Sequence, residues 1–160
     1  MDSTCVNISR LIPHRGAMCL LDSVENWGTG HIVCKTTTHR LLDNPLRDDS
    51  GLRAICGIEY GAQAIAAHGA LLGGEQGRGP RPLSGLLASA RDVTATLSHL
   101  DNLAGPLLIR ATLVLTHDQG SMYDIVVTGE GRTVLTGRLS VMKSIDNPHD
   151  TPPAATEGAA

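Results

Sequence analysis

The stretch Ile55 to Gly74, ICGIEYGAQAIAAHGALLGG, is small or apolar around the whole circumference of a helix. A helix without a polar face has to be surrounded by other structure rather than docked on one side. Its length approaches that of a membrane span, but Glu59, Gln63 and His68 interrupt it and much of the remainder is Gly and Ala. Burial within protein is therefore the expectation. The small residues have a use there, because Gly57, Gly61, Ala62, Ala64, Ala66, Ala67, Gly69 and Ala70 let neighbouring elements approach the helix axis. Glycine in a helix interior costs about 1 kcal/mol against alanine, so several of them point to a packing or site requirement.

The flanking sequence supplies the wrapping. HIVCKTTT alternates Ile32, Cys34 and Thr36 against His31, Val33, Lys35 and Thr37, the period of a strand, and WGTG before it suits a hairpin turn. LIRATLVLT points Ile109, Ala111, Leu113 and Leu115 one way and Arg110, Thr112, Val114 and Thr116 the other. SMYDIVVTG and RTVLTGRLSVMK follow through short turns such as EGR, and GLLASARDVTATL reads as the first strand of this meander. Helices do not alternate with strands, which excludes a βαβ plan. The expected class is α+β, a hot-dog fold: one long central helix wrapped by a curved antiparallel sheet. Residues 1–143 form a single domain in this reading, and the Pro- and Ala-rich tail, residues 144–160, is disordered.

Composition narrows the function. The chain of 160 residues has no Phe, one Trp and two Tyr, so it lacks stacking platforms for single-stranded nucleic acid, and a formal charge of −3 argues against a phosphate-backbone partner. Cys5, Cys19, Cys34 and Cys56 are widely spaced, which suits incidental thiols in a reducing compartment better than a zinc site or a disulfide framework. The N-terminus lacks the basic-then-apolar pattern of a signal peptide, and a cytoplasmic protein without a membrane anchor is expected.

Within the apolar helix, Glu59 and Gln63 share one face. Burial disfavours the charged form of Glu59, whereas the positive end of the helix favours it, and a carboxyl held between the two suits acid–base work. The alternative is a plain acidic residue in a first helical turn. His68, nine positions further on, falls on the opposite face and reads as a buried, hydrogen-bonded histidine. GGEQGRGP lacks the Lys-Ser/Thr ending of a phosphate loop and reads as a flexible connection. Arg47, Arg78 and Arg81 read as solvated surface, with an acidic carrier protein as the other reading.

LIPHRGAMCLLDSV resembles the opening motif L-P-H-R-x-P-x-L-L-x-D-x-V of the β-hydroxyacyl-acyl-carrier-protein dehydratases, and GIEYGAQAIAA resembles their helix motif I-E-A-x-A-Q. The similarity spans Leu11 to Lys143. It is strongest to the divergent branch associated with aryl-polyene pigments, in which stretches like DNPLR and GIEYxAQAxAxHG recur. The resemblance implies that Glu59 is catalytic, working with a histidine from the loop before the helix across a dimer interface. That loop departs from the family's G-H-F-P-G: its place falls near Asn44 and Pro45, in LDNPLRDD, and carries no histidine. His39 is the nearest upstream candidate for the catalytic base. His14 matches a histidine of the opening motif that the family does not use for catalysis, and is expected to anchor the turn after Pro13 at the edge of the substrate site.

The implied reaction is dehydration of a 3-hydroxyacyl thioester on an acyl carrier protein, giving the trans-2-enoyl product. Glu59 would handle the departing hydroxyl, and His39 or a histidine lent by a partner subunit would take the α-proton. Backbone N–H groups from Cys56 through Gly57 to Ile58 would meet the thioester oxygen. Gln63, Gly57, Ile58, Asn44, Pro45 and His14 are the expected substrate-binding set. No metal or soluble cofactor is implied, since phosphopantetheine arrives attached to the substrate. The assembly is a homodimer or a heterodimer with a second hot-dog protein. Two other readings stand beside this one: a hot-dog thioesterase, and a non-catalytic subunit that supports an active partner.

Overall fold

A computed structural model describes residues 6–77 and 85–143. The expectations for the tail from Ser144 and for most of the Gly-rich stretch after the helix lie outside these residues. Six strands form one antiparallel sheet: β1 (Ser23–Gly28), β2 (His31–Thr36), β3 (Gly85–Ala95), β4 (Leu107–His117), β5 (Gly120–Gly129) and β6 (Arg132–Lys143). The sheet curls about α1 (Gly57–Glu75) in the hot-dog arrangement. Its order is β1-β2-β4-β5-β6-β3.

Alternation sets the two faces of the sheet. Ile32, Cys34 and Thr36 of β2 and Leu107, Ile109 and Ala111 of β4 are buried, while the residues between them are half-buried or exposed. The β4 pattern breaks at a bulge between Leu113 and Leu115, and Leu115, expected to continue the inward row, is 55% exposed. A bulge adds one residue to a strand and so reverses the face of everything beyond it. At the β5–β6 hairpin both loop residues, Glu130 and Gly131, have positive φ (51° and 74°), as a two-residue turn between twisted strands requires.

One strand leaves the expected meander. β3 precedes β4 in the chain but pairs with β6, on the far edge of the sheet. The connection from Thr96 to Pro106 is long enough to cross beneath the start of the helix, and it is tied there by Ala54 N–H to Ser98 O (2.8 Å) and Leu100 N–H to Leu52 O (2.7 Å).

The core lies between α1 and the concave face, built from Ile12, Leu20, Leu21, Ile32, Leu52, Leu107, Ile109, Ile125, Leu135 and Leu139. Gly61 is where the sheet comes nearest: a Cβ added there would lie 2.6 Å from Ile125 Cδ1. As far as Ala70 the helix is buried on every side but one. Glu59, Ala62, Ala66 and Gly69 form a half-buried stripe, and this stripe faces the cavity described next.

Candidate active site

The segment before β1 is shaped to deliver one side chain. Leu11 and Ile12 are buried in the core, and Pro13 then restricts the backbone as the chain emerges. Arg15 folds over the turn, its Nη1 donating to Ser9 O (3.1 Å) and Ile12 O (3.3 Å). Gly16 takes φ +58°, a conformation that favours glycine, and starts a short 3-10 turn through Met18. His14, at the apex, is thereby held against the start of α1.

There it meets Glu59. His14 Nε2 lies 3.2 Å from Glu59 Oε1, with the two side chains 29% and 32% exposed. His14 Nδ1 is buried without a hydrogen-bond partner among the described residues. Gln63, one turn along the helix, is fully buried; its Nε2 donates to Met18 O (2.7 Å) and to Glu59 Oε1 (3.3 Å), and its Oε1 accepts from Leu20 N–H (2.9 Å). The amide of Gln63 is thus committed inside the protein rather than facing a substrate.

A cavity of about 180 Å³ opens beside this pair. Pro13, His14 and Glu59 stand at one end. Ala62, Ala66 and Gly69 form its floor, Leu87, Tyr123 and Val141 its walls, and Gly85, Gly120, Ser121 and Lys143 its far end. From Glu59 to Gly69 the helix rises about 15 Å. The lining is mostly apolar, so the groove can take an extended hydrocarbon with its reactive end beside the carboxyl and the imidazole.

Tyr123 was not foreseen from sequence. Its hydroxyl lies 2.9 Å from His68 Nδ1, and His68 Nε2 lies 2.7 Å from Gly28 O. A carbonyl only accepts, so Nε2 carries the proton and Tyr123 donates to Nδ1. The hydroxyl is thus engaged with His68, while Tyr123 also borders the groove. Burial lowers the pKa of His68 and raises that of Tyr123 to about 12. The inward period of SMYDIVVTG was the signal that could have singled it out.

His39 is not at the groove. Its ring is fully buried, with Nε2 3.1 Å from Leu103 O, and burial lowers its pKa. The 3-10 turn Thr38–Arg40 turns it into the crossing connection rather than toward Glu59. Asn44 is also occupied: its Nδ2 donates to Thr38 O and to Tyr60 Oη (both 3.0 Å) and its Oδ1 accepts from Leu46 N–H (2.9 Å). Pro45 is exposed and does not border the cavity. The expected oxyanion donors at the helix start are partly spent, because a 3-10 turn, Ala54–Cys56, leads into α1. Cys56 N–H donates to Arg53 O (3.0 Å) and Gly57 N–H to Ala54 O, while Ile58 packs on the core. Arg47, read as solvated, binds Asp101 at 2.7 Å. Among the described residues no three His, Cys, Asp or Glu side chains converge in a metal-holding group, and no helix is long and apolar enough to cross a membrane.

The family model described as ApeP-like: ApeP dehydratase matches residues 6–151. The chain belongs to this family. Among solved structures similar to this ApeP-like chain is the dehydratase heterocomplex ApeI:P from Xenorhabdus doucetiae, at 25% identity and a TM-score of 0.77, covering 88% of this chain and 93% of that one. S. sahachiroi AziG is similar at 14% identity and a TM-score of 0.59, over 84% of this chain and 98% of that one. A hypothetical thioesterase with coenzyme A from Streptococcus pneumoniae TIGR4 is similar at 18% identity and a TM-score of 0.54, over 76% and 84%. The last two share the fold alone. No curated protein matches the ApeP-like chain by sequence.

Proposed function

We propose that the protein dehydrates a 3-hydroxyacyl thioester, delivered on an acyl carrier protein, to the trans-2-enoyl thioester, with His14 and Glu59 as the reacting pair. The observation that carries this reading is the 3.2 Å approach of His14 Nε2 to Glu59 Oε1 at the head of an apolar groove. With the carboxyl protonated and the imidazole neutral, the imidazole takes the α-proton while the carboxyl gives its proton to the departing β-hydroxyl, which leaves as water. The double bond forms between the α- and β-carbons. The imidazolium then returns its proton to the carboxylate, and the pair is reset.

The assembly in this proposal includes a second hot-dog subunit. Support comes from β3, an edge strand with one side unpaired among the described residues, on which Leu86 and Leu87 are exposed. Leu87 and Gly85 also border the groove, so a subunit added at that edge would wall it in. The similar Xenorhabdus protein occurs in a dehydratase heterocomplex. The motif resemblance favours an unsaturated, aryl-polyene-like acyl chain over a saturated fatty acid.

The test is turnover of 3-hydroxyacyl-carrier-protein substrates by this chain with and without such a subunit, following enoyl absorbance and free thiol together. Glu59→Gln and His14→Ala should each lower enoyl formation by roughly 10²- to 10⁴-fold with the fold intact. Undiminished turnover in either variant removes that residue from the chemistry, and thiol release without enoyl product identifies a thioesterase instead.

A further inference from the structure

Gln63 is buried beneath the reacting pair, and its hydrogen bonds leave no freedom in how its amide is oriented. Leu20 N–H can only donate, so it must face Oε1; Met18 O can only accept, so it must face Nε2. The second hydrogen on Nε2 is then directed at Glu59 Oε1, 3.3 Å away. His14 Nε2 approaches that same oxygen. Glu59 Oε2 accepts no hydrogen bond among the described residues, although Glu59 borders the groove. The two oxygens of one carboxyl are therefore in different surroundings.

From this we infer that Gln63 is a positioning residue that makes Oε2 the working oxygen of Glu59, an inference that rests on the dehydratase reading. Oε1 already accepts from the Gln63 N–H, which cannot itself take a proton, so the proton that meets the departing hydroxyl is carried on Oε2. That oxygen is the one free to meet the departing hydroxyl. The same amide holds Met18 and Leu20, where the turn that follows His14 ends, so one side chain sets the spacing of the pair as well as its polarity.

Gln63→Met keeps the length of the side chain and removes all three hydrogen bonds, while Gln63→Glu keeps the acceptor for Leu20 N–H and removes the donor to Glu59. Assayed in the full assembly on 3-hydroxyacyl-carrier-protein substrate, each should lower kcat by roughly 10- to 100-fold, the scale expected when a reacting group is slightly misplaced, with KM changed less than about twofold. In a Glu59→Gln background neither should cause a further loss. Losses that multiply in that background, or a raised KM with kcat intact, overturn the inference while leaving dehydration standing. A second measurement needs no turnover: the infrared carboxyl band assigned to Glu59 by its disappearance in Glu59→Gln should move in Gln63→Met. An unmoved band overturns the inference. Absence of dehydration by the unmutated assembly, with a band that does move, overturns the reaction alone and leaves the hydrogen bond in place.

Discussion

Single residues decide whether the loop in front of the helix holds its shape. Asp101 accepts from Arg47 Nη1 (2.7 Å) through one oxygen and from Leu52 N–H (3.0 Å) through the other, pinning the segment that leads into α1. Gly51 sits under that carboxylate at φ +112°, where a Cβ would lie 2.6 Å from Asp101 Oδ2. Gly51→Ala therefore combines an unfavourable backbone conformation with displacement of the pin, and should lower stability by about 1–3 kcal/mol, read from its denaturant midpoint. Glu59 could be singled out from sequence because a lone acid on an apolar helix is conspicuous locally. The neighbour it acquires could not. His14 lies 45 positions earlier, and only the buried Leu11–Ile12 anchor, the Arg15 strap and the Gln63 grip bring it to the helix. His39, much nearer in the chain, is turned aside by a three-residue 3-10 turn that no hydrophobic period announces.

At the scale of elements, the all-round apolar helix correctly implied a wrapping sheet, because its surface had no other way to leave water. The half-buried stripe was hidden in that same uniformity: Ala62, Ala66 and Gly69 look like packing residues until the sheet is found to stand off from them. Their smallness is what keeps the groove open. Ala66→Leu fills the floor about 10 Å along the helix from Glu59. Its expected effect is selective: short 3-hydroxyacyl substrates should turn over within a few-fold of the unmutated rate, while long ones lose most of theirs, as a chain-length series would record. Equal rates at every length would place the acyl chain elsewhere. The strands themselves were legible from period 2, but their partners were not. Pairing depends on where a connection can run, and β3 reaches β6 only because the chain from Thr96 to Pro106 passes under the helix.

For the whole molecule, two fully buried histidines tie stability to pH. Burial lowers the pKa of both His39 and His68 below the ordinary value near 6.5. Below about pH 6.5 the unfolded chain therefore takes up protons that the folded chain refuses, and the balance shifts toward unfolding as pH falls. Asp101 and Asp124, whose pKa values lie below the usual carboxylate range, extend the loss into more acidic solution. For Asp124 the first cause is its hydrogen bond with Arg138. For Asp101, burial works against the lowering, which comes from its bonds to Leu52 N–H, its own backbone and Arg47. The urea midpoint should fall measurably from pH 7.5 to pH 5.5, and the fall should shrink in His68→Gln; a midpoint flat across that range would mean that the histidines titrate equally in both states.

The unpaired side of β3 carries a consequence of its own. Its backbone is interrupted twice, between Leu87 and Ser89 and between Arg91 and Thr94, and Asp92 there adopts φ +51°. A straight foreign strand laid along this rim would lose register after a few residues, so indiscriminate stacking of copies into fibrils is blocked by the contour of the rim itself. A strand that steps at matching places would be needed to pair along its full length.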